Sequence, residues 1–198
     1  MQAAQQTAKI KPAGRPRSPE VETRILDVTM QQLRDEGFSR MSIDSIAAAA
    51  GVSKPTIYRR WSGKADIATA ALTRLRLAEP STESKHGLDK VRAILFNFRA
   101  SLLRPNGLAL IGVVLAEESH NPELLKHFRD RIVKPRREMV AAALEEAREM
   151  GELPKHADID AIVTMLIGSF YGRYLSGAPI PPGWIIRIVD AVTCRAKK

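Results

Sequence analysis

The chain has 198 residues, 44% of them apolar, with a formal net charge of +9 and a pI near 10.0. That length holds one small and one medium domain, each with a buried core, and the charge favours polyanions without choosing among them. One cysteine, Cys194, excludes an intramolecular disulfide framework, and no run approaches the roughly 20 apolar residues of a membrane span, so a cytoplasmic protein without membrane partners is expected.

Charge is denser at the start, with 11 Lys/Arg against 6 Asp/Glu in residues 1–64 and 20 against 16 in residues 65–198. Residues 1–17 are Gln, Ala, Pro and basic, with too little apolar surface to offset the entropy of ordering, so a flexible basic arm is expected. Within it Arg15 and Arg17 either enter an A·T-rich minor groove or belong to a solvated tail. A first helix is predicted from Ser18-Pro19-Glu20, as cap, first-turn proline and dipole-complementing acid. Ile25, Val28, Leu33 and Phe38 supply its core face and Gly37 ends it.

Ser42 and Ser53 are placed as N-caps of two short helices. Ile43, Ile46, Ala47 and Ala50 form one apolar stripe, and Gly51-Val52 closes the first of the two. In the second, Ile57 and Trp61 turn inward and leave Lys54, Thr56, Tyr58, Arg59 and Arg60 outside. A short helix, a glycine turn and a second helix with a basic face is the helix-turn-helix arrangement; an ordinary helical hairpin with a solvated face is the alternative on spacing alone.

Further helices are predicted over 65–77, 88–102, 108–116, 121–150, 158–175 and 184–192, about nine in all, in an all-α fold. Residues 79–86 form a polar break, and Pro135 either kinks the long helix or marks where two helices meet. The helix over 158–175 is apolar around a wide arc, so a second surface needs covering, by a twofold mate or by neighbours in the same subunit. Gly168 and Gly172, four apart, permit close helix approach.

The run from Val21 to Leu72 is similar to the DNA-binding domain of TetR/AcrR-type transcriptional regulators. The residues that carry the likeness are Gly37-Phe38, Ser42-Ile43, Ile46-Ala47, Ala50-Gly51-Val52-Ser53, Thr56-Ile57-Tyr58-Arg59-Arg60-Trp61 and Lys64. Asn121-Pro122-Glu123, Pro135-Arg136-Arg137, Gly151-Glu152-Leu153 and Tyr171-Gly172-Arg173-Tyr174 resemble one group of the family's C-terminal domains, so the likeness covers nearly the whole chain. It implies a three-helix DNA-binding domain over 18–64 after the arm, and an effector-binding and dimerisation domain over 65–198. Ser53, Lys54, Pro55, Thr56 and Tyr58 would meet DNA, with Arg59 and Arg60 extending that surface. Lys64 and the backbone at Ser42 and Ile43 would hold phosphates. Asp44, where some relatives carry a base, speaks against contacts from the first of the two helices, unless it is a cap. A homodimer on a palindromic operator, released by a small molecule and acting as a repressor, is the implied mechanism.

Candidate pocket residues are Leu75, Phe96, Leu110, Val114, Met139, Phe170 and Tyr171, for each of which plain core packing is the alternative. Ile162, Leu166, Gly168, Gly172, Trp184, Ile188 and Val192 are the candidate dimer contacts. His86, His120, His127 and His156 are scattered without metal-ligand spacing, and neighbours in Glu117-Glu118-Ser119-His120 do not face one another on a helix. Neither enzyme activity, metal nor cofactor is anticipated. A non-specific nucleic-acid binder, and a helical interaction protein without DNA, are the competing classes.

Overall fold

The computed structural model describes residues 19–74, 85–105 and 107–193. Regular structure there is helical: α1 (Pro19–Asp35), α2 (Gly37–Arg40), α3 (Ile43–Ala50), α4 (Lys54–Tyr58), α5 (Lys64–Thr73), α6 (Gly87–Leu102), α7 (Gly107–Ala116), α8 (Pro122–Phe128), a π-helical turn (Arg129–Val133), α9 (Lys134–Glu149), α10 (Ile159–Leu175) and α11 (Gly183–Val192). The anticipated helices are present, α2 is additional, and the 121–150 run is divided. Pro135 explains the division. Lacking an N–H, it cannot donate to the carbonyl four residues back, and Lys134 donates to Arg129, five back. The arm with Arg15 and Arg17, the Ser18 cap, Leu75 and Cys194 lie outside the described residues.

The head is built from α1, α3 and α5 around Ile25, Leu33, Phe38, Ile46, Ile57 and Ile67. Ser42 caps α3 reciprocally: its Oγ accepts the Ser45 N–H at 3.0 Å, and Ser45 Oγ accepts the Ser42 N–H at 3.2 Å. Gly51 ends α3 at φ 62°, ψ 41°, a conformation that favours glycine, and its N–H returns to the Ala47 and Ala48 carbonyls. The chain is thereby turned so that Ile57 and Trp61 drop into the core and fix α4 against it.

The body packs α6, α9, α10 and α11 around Leu88, Ile94, Leu144, Leu166, Phe170 and Ile185. Between head and body lie α7 and α8. Leu110, Val114, Leu124, Leu125 and Phe128 join the head's core, Leu108 joins the body's, and Ile111 packs against both. The two cores therefore meet along a seam. No single helix among the described residues is long and apolar enough to cross a membrane.

Two of the candidate dimer residues are corrected here. Ile162 and Leu166 are 6% and 0% exposed and belong to the body's own core, out of reach of a partner. Trp184, Ile188 and Val192 are half-buried against that core. Among the residues α10 turns outward are Met165, Gly168, Gly172 and Leu175, three and four apart, beside Asp160, Thr164 and Tyr174, with Ile186 on α11 also exposed.

Candidate nucleic-acid interface and effector cavity

The outer face of α4 presents Lys54, Pro55, Tyr58 and, just beyond its end, Arg59, all exposed, with Thr56 half-buried. Tyr58 is 55% exposed although it is a large aromatic, held there because Ile57 and Trp61 anchor the opposite side. Ser53 is the N-cap residue by position, but its hydroxyl makes no side-chain cap. It lies 3.0 Å from Thr56 Oγ1, while its carbonyl accepts the Thr56 N–H at 2.9 Å. Arg59 reaches Thr56 Oγ1 at 3.3 Å and stays on the surface. Arg60 folds back to donate to the Thr56 carbonyl at 2.9 Å, so its fork is partly spent on closing α4.

Asp44 is neither a cap nor a bare repulsive charge. It pairs with Lys54 Nζ at 2.6 Å across the turn, and that hydrogen bond and charge raise the lysine's pKa. Ser42's own N–H is taken by Ser45 Oγ, so the backbone donors left at the start of α3 begin with Ile43.

Lys64 differs from the expectation. Its Nζ turns inward, donating to the Phe38 and Ser39 carbonyls at 2.9 and 3.3 Å over the Phe38 ring at 4.3 Å from the centroid. Burial lowers its pKa, against the opposing charge of Glu117. Ser39 in turn donates to Glu117 Oε1 at 2.7 Å, so α2, α5 and the end of α7 are tied together. Lys64 is a cross-link of the head in this structure.

A second tie runs from the segment after α4 to the π turn that precedes α9. Asp66 on α5 accepts the Ser62 N–H at 2.7 Å and the Ser62 hydroxyl at 3.0 Å through one oxygen, and Arg131 of the π turn through the other. Burial alone would raise this carboxyl, but the Ser62 and Arg131 contacts outweigh it and hold the pKa below the ordinary value. Ser62 directly follows Trp61, so one carboxylate links the end of the recognition segment to the π turn.

On the seam is a cavity of about 80 Å³, lined from the head's core by Leu72, Leu110 and Phe128, from the body's by Phe98 and Leu102, and from the π turn by Ile132 and Val133. Tyr171, Ser101 and Arg136 add polar groups. Of the candidate pocket residues, Leu110 and Tyr171 line it. Phe96 is 40% exposed on the outside of α6, Val114 is buried in the head's core, Met139 packs against the body's core, and Phe170 stands behind Phe98, edge-on at 5.0 Å. Burial raises the Tyr171 pKa, opposed by the charge of Arg136, so the phenol is a donor at neutral pH. Arg136 was not among the sequence candidates, yet it stands in register with Val140, Ala143 and Ala147 on the buried stripe of α9. A base on an otherwise apolar helical stripe was the available signal.

Residues 89–192 match the family described as the tetracyclin repressor-like C-terminal domain, and residues 25–71 match the bacterial regulatory proteins of the tetR family. The chain belongs to the TetR family of transcriptional regulators. Its TetR-family relatives include an HTH-type transcriptional regulator of Mycobacterium tuberculosis (strain H37Rv), 32% identical over 74% of this chain and 72% of the relative. A second, of Mycobacteroides abscessus, described as the DNA-binding transcriptional repressor TetR, is 31% identical over 85% of this chain and 89% of its own. Among solved structures, the flavonoid-responsive regulator FrrA superposes with a TM-score of 0.67 at 20% identity, covering 88% of this chain and 94% of that one, a likeness of fold. This TetR-family chain is thus a helix-turn-helix transcriptional regulator in which α3 and α4 form the DNA-binding motif.

Proposed function

We propose that the protein is a homodimeric repressor that reads a palindromic operator through the outer face of α4 and releases it when a small molecule fills the seam cavity. The observation that carries this reading is the Ser62–Asp66–Arg131 link. It joins the recognition segment to the same π turn whose Ile132 and Val133 form the cavity wall. The cavity, at about 80 Å³, is far below the roughly 300 Å³ at which drug-sized ligands are held. An occupant of ordinary size must displace the wall, and a close-packed interior transmits that displacement. Moving the π turn draws Arg131 from Asp66, frees the end of α4, and favours a spacing of the two heads that no longer fits the operator.

Support for repression comes from the Mycobacteroides abscessus relative, and support for a ligand from the responsive protein of like fold. For the dimer, Met165, Gly168, Gly172, Leu175 and Ile186 offer an apolar strip, and a Cβ built on either glycine meets nothing within 4 Å in the subunit, so the strip is open to a close partner helix. Two α4 helices carried about one DNA turn apart, or somewhat more, then reach successive major grooves. Tyr58, Lys54 and the α3 N-terminus address phosphates, while Arg59 has the free length to pair with guanine.

The test is binding of purified protein to the intergenic DNA beside its own gene, at near-physiological salt with excess competitor, for wild type, Tyr58→Ala and Arg59→Ala. A competitor-resistant complex weakened about tenfold or more in both variants supports operator reading. Equal weak binding to every DNA, steeply salt-dependent and unchanged by the substitutions, would instead make the protein a non-specific charge binder.

A further inference from the structure

The seam cavity has an asymmetry that the effector reading does not use. Among its described lining residues none is acidic, and one is charged: Arg136, only 5% exposed. Its guanidinium carbon lies 4.7 Å from the centroid of the Phe98 ring, and both residues line the cavity. On the same wall are the Ser101 hydroxyl and the Tyr171 ring, which packs edge-on to Phe98 at 6.3 Å. Elsewhere the lining is aliphatic or aromatic, Phe128 and Ile132 among it.

A guanidinium presents its N–H donors in a planar fork, a shape that suits a carboxylate through charge-assisted hydrogen bonds. A neutral guest gains only the weaker hydrogen bond of an uncharged acceptor from that fork, and a cationic one is repelled. An anion gains charge-assisted hydrogen bonds in a site where water screens little. The small volume and the aromatic and branched walls favour a compact apolar body over a long extended chain.

We propose that the seam cavity takes a small organic anion, a carboxylic acid with a compact aromatic or aliphatic body, whose carboxylate binds the Arg136 fork while the body lies among Phe98, Phe128 and Ile132. The proposal rests on the effector reading only for the consequence of binding; the site itself stands on the cavity and its chemistry. Arg136 is then the specificity residue, and the tyrosine phenol a second donor to the same carboxylate.

Full-length protein is titrated calorimetrically with benzoate, phenylacetate and 3-methylbutanoate, each beside its primary alcohol and its primary amine, for wild type, Arg136→Met and Arg136→Lys. At least one acid is expected to bind wild type about tenfold or more tightly than its alcohol and amine, a gap of about 1.4 kcal/mol. Arg136→Met, which keeps the stem against Phe98, is expected to erase that gap while leaving alcohol affinity within about twofold; Arg136→Lys keeps part of it. Alcohols binding as well as acids, an acid preference that survives Arg136→Met, or no acid binding below about 10 mM would each overturn the proposal. If Arg136→Met melts as an unfolded chain, the ranking within wild type decides alone. An acid that binds through Arg136 yet leaves the operator complex intact would uphold the anion site and remove the effector reading.

Discussion

Beneath the recognition helix, Ile25, Ile46, Ile57 and Trp61 fill the head with apolar side chains, and the polar residues around them are capped or paired. Along the seam, where the body meets that head, Phe98, Ser101, Arg136 and Tyr171 instead surround unfilled space. Both regions are helical packing of the same kind, and they differ in completion. A filled core holds one geometry, as a DNA-reading surface requires, whereas a seam with room to spare has a second geometry within reach when something enters it. The Asp66 carboxylate, buried among head residues, holds Arg131 of the π turn that leads into α9.

Breaking the assembly should have the largest effect. Gly168→Glu adds a charge to the strip proposed for the dimer, at a position where a Cβ meets nothing within 4 Å, so the expected outcome is monomer by sedimentation, with operator affinity reduced about 100-fold or more because one head holds only a half-site. Next is the filled core itself: Ile57→Ala, at a position with 0% exposure, should cost about 2–5 kcal/mol in denaturant unfolding. Ile111→Ala, half-buried at the cavity rim, should cost less, and equal costs would mean that the seam is packed as tightly as the head.

The Asp66 link should lie between these and the surface. Asp66→Asn is expected to lose about 1–3 kcal/mol at pH 7. The sign with pH follows from the depressed carboxyl: its contribution is complete above the ordinary carboxylate value and is lost as pH falls through the lower folded value, so the gap between wild type and variant should close on acidification. A gap that widened in acid would contradict the pairing. The smallest change is Asp44→Ala. It removes an exposed pair with Lys54, leaving the melting temperature within about a degree, and should tighten DNA binding modestly by removing a carboxylate and freeing the lysine beside the phosphates.

Capping serines, a left-handed glycine and a short apolar stripe made α3 and α4 legible in the sequence because each signal is local. The seam was not legible in that way. Phe96 and Phe98 are chemically alike and two residues apart on one helix, and only the helix's rotation, fixed by α9 and α11, puts one outside and the other on the cavity. Ile162 and Leu166 were assigned to a partner for a related reason: a helix apolar on every side does not announce which arc its own subunit takes. Lys64 shows a third limit, since a flexible cation at a helix start suits a phosphate and backbone carbonyls alike, and the carbonyls of α2 that it reaches are set by tertiary packing. Arg136 is the reverse case, a residue whose place on the buried stripe of α9 was visible and whose meaning needed the cavity beside it.

The central claim is that the state of the seam reaches the recognition helix through Arg131 and Asp66. It is tested most directly by amide hydrogen exchange of the full-length protein, wild type against Arg131→Met, an exposed position whose replacement leaves both cores intact. Exchange about tenfold faster is expected across residues 56–62, with α6 and α9 unchanged. Unchanged exchange there, or an equal rise throughout the chain, would contradict it.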